Sequence, residues 1–182
     1  MNHKLLIVID VQNDFIDGSL ANPAAQAKIG NIVERINNFD GDAILVTRDT
    51  HTADYPNSKE GEKLPFIHCV KGTDGWYINK DVANALHKKE LSESCVVRYF
   101  DKPTFGSEEL AKAVKEYKGD LEIEFVGFCT DICVVSNALM VKAAVYDRAD
   151  ISVIENCCAG VTPEWHEAAL TTMNSCQINI VR

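Results

Sequence analysis

The chain has 182 residues, 46% of them hydrophobic and 25% charged, which is the composition of an ordinary globular protein and the length of one domain, 1–182, rather than two. A formal net charge of −9, with no block of basic residues, argues against nucleic acid or an anionic membrane surface as partner. Seven cysteines, an odd number without paired C-x-x-C spacing, read as reduced thiols of a cytoplasmic protein, and no apolar run nears the ~20 residues that span a bilayer.

Residues 5–9 form an unbroken apolar run ending at Asp10, the pattern of a strand buried on both faces of a parallel sheet. Ala25, Ile29, Ile32, Val33 and Ile36 then recur at three- and four-residue spacing, a single helical stripe. A second strand-like run, 43–46, leads to Arg48 and Asp49. The segment 47–79 is too long and too rich in Gly, Pro and polar residues for a plain connector, and irregular insertions of this length tend to be functional. A third run, 95–97, precedes Lys102. Ser107 can cap the next helix, with Glu108 and Glu109 in its first turn, Lys115 and Lys118 near its end, and Gly119 as the stop. The fourth run, 123–126, leads to Cys133 at a helix start, where Ile132, Val135, Leu139 and Ala143 predict a third stripe. Runs at 151–154 and 178–181 flank a last helix opened by Thr162-Pro163-Glu164, with proline at its first position.

Alternating strand and helix patterns predict an open, mostly parallel α/β sheet. Such sheets bind ligands outside the carboxyl ends of their strands. Asp10, Arg48, Asp49, Lys102 and Cys133 are therefore expected to converge on one edge.

Cys133 stands where a strand, a tight turn and a helix follow one another, and the first turn of a helix favours a thiolate. The same backbone N–H groups can hold an oxyanion. The plainer reading is a buried inert thiol, the expectation for Cys69, Cys95, Cys157, Cys158 and Cys176. Asp10, read alone, is a cap or ion-pair partner, and Lys102 a solvated surface lysine. The following Val11-Gln12-Asn13-Asp14-Phe15 carries more polar equipment than a turn requires. Asp49 and His51, two apart on an extended segment, point the same way, and His68 lies in the same insertion. Two histidines and a carboxylate suit Zn²⁺, Fe²⁺ or Mn²⁺, although short D-x-H pairs also arise by chance.

Together, five segments resemble the isochorismatase-like cysteine hydrolases and, within them, the nicotinamidases. They are Ile9-Asp10-Val11-Gln12-Asn13-Asp14-Phe15, Thr47-Arg48-Asp49-Thr50-His51, His68-Cys69-Val70-Lys71-Gly72-Thr73, Gly127-Phe128-Cys129-Thr130-Asp131-Ile132-Cys133-Val134, and Cys158-Ala159-Gly160-Val161-Thr162-Pro163-Glu164-Trp165-His166. The resemblance implies a six-stranded parallel sheet flanked by helices, usually in a homo-oligomer. It implies Cys133 as nucleophile, Asp10 as general base and proton carrier, and Lys102 as the cation that lowers the thiol pKa. Backbone N–H groups of Cys129 and Cys133 become the oxyanion hole, with a cis peptide between Phe128 and Cys129.

The implied reaction is hydrolysis of a small-molecule amide, nicotinamide, in NAD salvage. A divalent metal, zinc first among candidates, would be held by Asp49, His51 and His68 against the pyridine nitrogen. Many nicotinamidases carry a further histidine that is missing here, and Glu60 is the candidate in its place, with Glu62 and Asp54 as rivals. Phe15 and Phe66 are the expected ring walls, and Phe105 stands where a tyrosine is common. Two alternatives compete: a metal-independent relative acting on another amide, a carbamoyl compound or a vinyl ether, and a non-catalytic binding module.

Overall fold

The computed structural model describes residues 2–92 and 95–182. In chain order its strands and helices are β1 (Asn2–Ile9), α1 (Asn13–Ile16), α2 (Pro23–Gln26), α3 (Ile29–Asn38), β2 (Ala43–Asp49), α4 (Lys59–Lys63), α5 (Lys80–Leu91), β3 (Val96–Lys102), α6 (Glu108–Glu116), β4 (Asp120–Phe128), α7 (Val135–Val145), β5 (Ala149–Ala159), α8 (Pro163–Ser175) and β6 (Asn179–Val181). The strands make one sheet in the order β3-β2-β1-β4-β5-β6. Every neighbouring pair is parallel, so the sheet expected to be mostly parallel is wholly so.

β1 shows why an unbroken apolar run is needed. Leu5, Ile7 and Ile9 point into a core shared with α6, α7 and α8, while Leu6 and Val8 point into a second core under α3 and α5. Strand order reverses between β1 and β4, the two central strands. Asp10 follows one and the turn to Cys133 follows the other, so both lie at the switch point where crevices form in such sheets.

Local signals account for most helix starts. Side chains of Asn22, Ser58, Asn79, Ser107 and Thr162 each accept a backbone N–H of the first turn of α2, α4, α5, α6 and α8. Two expectations change. The single stripe from Ala25 to Ile36 is divided between α2 and α3, with Asn22 capping the first piece. The stripe Ile132, Val135, Leu139 and Ala143 is not the buried face of α7; that face is Val134, Asn137, Ala138, Val141 and Val145, and Ala143 is exposed. α7 is apolar on most sides, so periodicity could not choose its face. Asn137 decides it: its side chain accepts Ser107 N–H and donates to the carbonyls of Phe105 and Cys133.

Among the described residues no helix is long and apolar enough to cross a membrane.

Candidate active site

Asp10, Lys102 and Cys133 meet at the carboxyl edge of the sheet, all three buried. Lys102 is the last residue of β3 rather than a loop residue, and its Nζ lies 2.7 Å from Asp10 Oδ2 and 3.5 Å from Cys133 Sγ. The ammonium also donates to the Thr104 carbonyl at 3.0 Å. Thr47 Oγ1 donates to Asp10 Oδ1 at 2.6 Å, fixing the carboxylate from β2. Asp10 itself has φ of 47°, a left-handed conformation that aims its side chain along the strand end.

The charges of this trio are interdependent. Burial raises the Asp10 pKa, with Lys102 working against it. Burial and the Asp10 charge push the Cys133 thiol well up, again opposed by Lys102. Burial alone would lower Lys102, but the charges of Asp10, Cys133 and Asp49 hold it above its ordinary range. Three acidic groups, Asp10, Cys133 and Asp49, therefore face one fixed cation, and their titrations are coupled through it. At Cys133 the pull of Lys102 toward the thiolate is opposed by burial and by the Asp10 charge.

The Phe128–Cys129 peptide is cis, as the resemblance implied. Beyond it, residues Thr130–Val134 form a wide π-type turn before α7, and the N–H groups of Ile132 and Val134 both bond to the Cys129 carbonyl. Cys129 and Cys133 both line the cavity.

Asp49, His51 and His68 also come together, their ligand atoms all within 4.8 Å of one another. Nε2 of His51 is 3.0 Å and Nε2 of His68 is 3.3 Å from Asp49 Oδ2. Nδ1 of His68 lies 2.8 Å from the Phe66 carbonyl, which can only accept, so Nδ1 carries a proton and Nε2 is turned to the cluster. Burial by itself would raise Asp49, yet hydrogen bonds from the two histidines hold it well below the usual carboxylate range. One carboxylate and two imidazole Nε2 atoms on a common point are a donor set that fits a divalent cation. Glu60 Oε1 lies 3.7 Å from His51 Nε2, and burial with the nearby Asp49 charge raises its pKa. Its rivals stand outside: Glu62 is exposed, and Asp54 is exposed and accepts a bond from Asn57.

The polar residues after β1 brace the insertion. Gln12 Nε2 donates to the carbonyls of Asp49 and Trp76, and Gln12 Oε1 accepts Asp49 N–H. Asp14 Oδ2 accepts Cys69 N–H at 2.7 Å, and Asn13 Nδ2 donates to Asp74 O. Arg48 leaves the group expected to converge: it pairs with Asp101 and lies 4.2 Å over the Trp76 ring. Tyr55, not foreseen, packs its ring against His51 and His68 at 4.5 and 4.9 Å.

A cavity of about 380 Å³ joins the two clusters. Asp49, Glu60 and His68 line one end, Cys129 and Cys133 another part, and Phe15, Leu20, Leu64, Phe105, Ile132, Val161 and Trp165 supply apolar wall. Phe15 is a wall as expected, and Phe105, in the place where a tyrosine is common, also lines the cavity. Phe66 is not a wall: its ring is 56% exposed and lies outside the cavity, and only its carbonyl serves the site, as partner of His68. Trp165 and Leu64 were missed as walls, although Trp165 stands in the loop-and-helix segment already singled out.

The chain matches the isochorismatase domain family over residues 4–182. A Mycobacterium tuberculosis protein named nicotinamidase/pyrazinamidase is 27% identical over 204 residues, covering 98% of each chain. The solved nicotinamidase/pyrazinamidase of Bacillus subtilis superposes with a TM-score of 0.81 at 28% identity, over 99% of this chain and 100% of that one. The pyrazinamidase of Pyrococcus horikoshii, solved in complex with zinc, gives 0.77 at 27% identity over 99% of each.

Proposed function

Because the chain belongs to the isochorismatase domain family, we infer that it is a nicotinamidase, hydrolysing nicotinamide to nicotinate and ammonia. The observation that carries this reading is one cavity lined both by Cys133, with Lys102 and Asp10 directly behind it, and by Asp49 and His68 of the second cluster. A nucleophile alone would suit many amides; the second cluster supports a substrate with a ring nitrogen as well as a carboxamide. A metal-independent hydrolase would have no use for three buried ligands on one point.

In this reading Cys133 Sγ attacks the carboxamide carbon while its proton passes to Asp10. N–H groups of Cys129 and Cys133 receive the developing oxyanion. Asp10 hands the proton to the departing amide nitrogen, which leaves as ammonia, and a thioester remains. Asp10 then takes a proton from water as the water attacks the thioester, and Cys133 regains its thiol when nicotinate leaves. Lys102 keeps Asp10 and Cys133 in reach of each other through both halves. Phe15, Phe105 and Trp165 hold the ring and exclude water.

Asp49, His51 and His68, with Glu60 beside them, would hold a divalent cation, zinc being the identity the donor set favours. When bound, that ion supplies a Lewis-acidic contact for the pyridine nitrogen. We take the working form to be a homo-oligomer, as the family resemblance implies.

The test is ammonia release from nicotinamide. Wild-type protein is expected to turn over, and Cys133→Ala to be inactive. A wild-type chain that binds nicotinamide without releasing ammonia would leave the binding-module reading standing instead.

A further inference from the structure

The turn that carries Cys133 is held from outside by the loop between β5 and α8 and by the first turn of α8, which carries His166. Nδ1 of His166 and Oγ1 of Thr130 lie 2.8 Å apart, and Thr130, the first residue of the turn, is fully buried. A buried hydroxyl needs a partner, and this ring nitrogen serves it. One residue on, Asp131 Oδ1 accepts the backbone N–H of Val161 at 2.9 Å. The approach is close enough to demand glycine. A Cβ on Gly160 would stand 2.8 Å from both Asp131 Oδ1 and the Cβ of His166. Asn22 Nδ2 secures the same loop by donating to the Gly160 carbonyl at 2.9 Å.

His166 and Thr130 are not among the cavity-lining residues, so neither is placed to touch substrate. The carboxylates in reach of His166, Glu155 and Glu167, both pair with Arg182, at 3.0 and 3.3 Å. The ring's firm partner is therefore the Thr130 hydroxyl. Thr130 and Asp131 lie in the chain between Cys129 and Cys133, the two residues whose N–H groups would receive the oxyanion.

We propose that His166 is a positioning residue of the hydrolysis: through the Thr130 hydroxyl it fixes the turn so that the N–H groups of Cys129 and Cys133 keep the spacing an oxyanion requires. The inference rests on the reading of Cys133 as nucleophile. Its physical basis is preorganisation, since donors that must first be gathered lose most of their effect and a misplacement of ~1 Å can cost about 100-fold.

His166→Ala should lower kcat on nicotinamide by about 10- to 100-fold and leave KM within about threefold, because ring contacts lie elsewhere in the cavity. His166→Asn, whose amide can reach the hydroxyl, should recover most of the loss. Thr130→Val should reproduce the defect, and adding it to His166→Ala should cost little more, as expected for two ends of one bond. Amide hydrogen exchange in the peptide spanning 129–134 should quicken in His166→Ala and return towards wild type in His166→Asn. If His166→Ala does not fold, Thr130→Val and His166→Asn carry the same comparison. Full kcat in Thr130→Val, or single losses that multiply in the double variant, would overturn the proposal. A wild type inactive on nicotinamide would overturn the function above, while unchanged exchange in His166→Ala would overturn this inference alone.

Discussion

Lys102 Nζ sits 2.7 Å from Asp10 Oδ2, an ion pair sealed from water at the point where the strand order of the sheet reverses. Such a pair gains little stability from being buried, because desolvation of both charges offsets their attraction. Its value is positional. It places a fixed cation beside both a carboxylate and a thiol, which in the proposed mechanism would let a proton pass between them without either charge being stranded.

That arrangement separates thiol reactivity from turnover. The Asp10 charge raises the Cys133 pKa, whereas Lys102 lowers it. Asp10→Asn removes the raising charge and keeps the cation, so at fixed pH a larger share of Cys133 is thiolate. Its alkylation by iodoacetamide at pH 7 should speed up, while ammonia release falls by roughly 10²- to 10⁴-fold for want of a proton carrier. Lys102→Met should do the opposite to alkylation and also abolish turnover. Slower alkylation in Asp10→Asn would mean that the carboxylate, not the lysine, sustains the thiolate.

The second cluster is tested by what it should discriminate. Chelation, or Asp49→Ala, should remove bound metal, measured by atomic spectrometry, and reduce turnover of nicotinamide by at least about 10-fold. Benzamide has the same carboxamide and no ring nitrogen, so its slower hydrolysis should hardly respond. Glu60→Gln should weaken metal retention, and Asp54→Asn should not, since of these two only Glu60 approaches His51 and Asp54 is exposed beside Asn57. Equal sensitivity of the two amides to chelation would remove the metal from substrate orientation.

Cavity walls separate two phenylalanines that the sequence treats alike. Phe15 is buried and lines the cavity, as does Trp165, so Phe15→Ala and Trp165→Ala should each raise KM for nicotinamide by about 10-fold. Phe66→Ala should leave KM within about twofold, because its ring faces solvent and its carbonyl survives the change. A large KM effect at Phe66 would show that the 64–68 segment closes over the substrate.

What the sequence could and could not reveal follows the physics of each signal. β1 and β2, buried on both faces, leave uninterrupted apolar runs, while the exposed edge strands β3 and β6 show only as short ones; the strand ends still put Asp10 and Cys133 on one edge. Asp49 and His51 were legible because extended backbone has a period of two. The face of α7 was not legible, since a helix apolar nearly all round carries no stripe and a buried Asn137 chose its side. The insertion's course was hidden for a different reason. It is fixed by side chains bonding to backbone, Gln12 to Asp49 and Trp76 and Asp14 to Cys69, and backbone partners leave no mark on residue type. For the same reason Phe66 was taken for a ring when its contribution is a carbonyl oxygen.

Two glycines provide a last contrast, this time in stability. Gly127 ends the register of β4 against β1 and follows a register shift against β5, with φ of 121°, and a Cβ there would collide with the Ile9 carbonyl oxygen. Any side chain must either push β4 away from β1 at the residue before Asp10 or abandon the backbone conformation that leads to Cys129. Gly127→Ala should therefore cost at least about 2 kcal/mol, read as a lower urea midpoint at unchanged slope. Gly30 lies in the first turn of α3, where an added Cβ meets nothing within 4 Å and φ is ordinary. Gly30→Ala restricts the unfolded chain without a clash and should raise stability by about 0.4–1 kcal/mol. If both variants shifted the midpoint alike, the close approach of β4 to β1 at Gly127 would not be what demands glycine there.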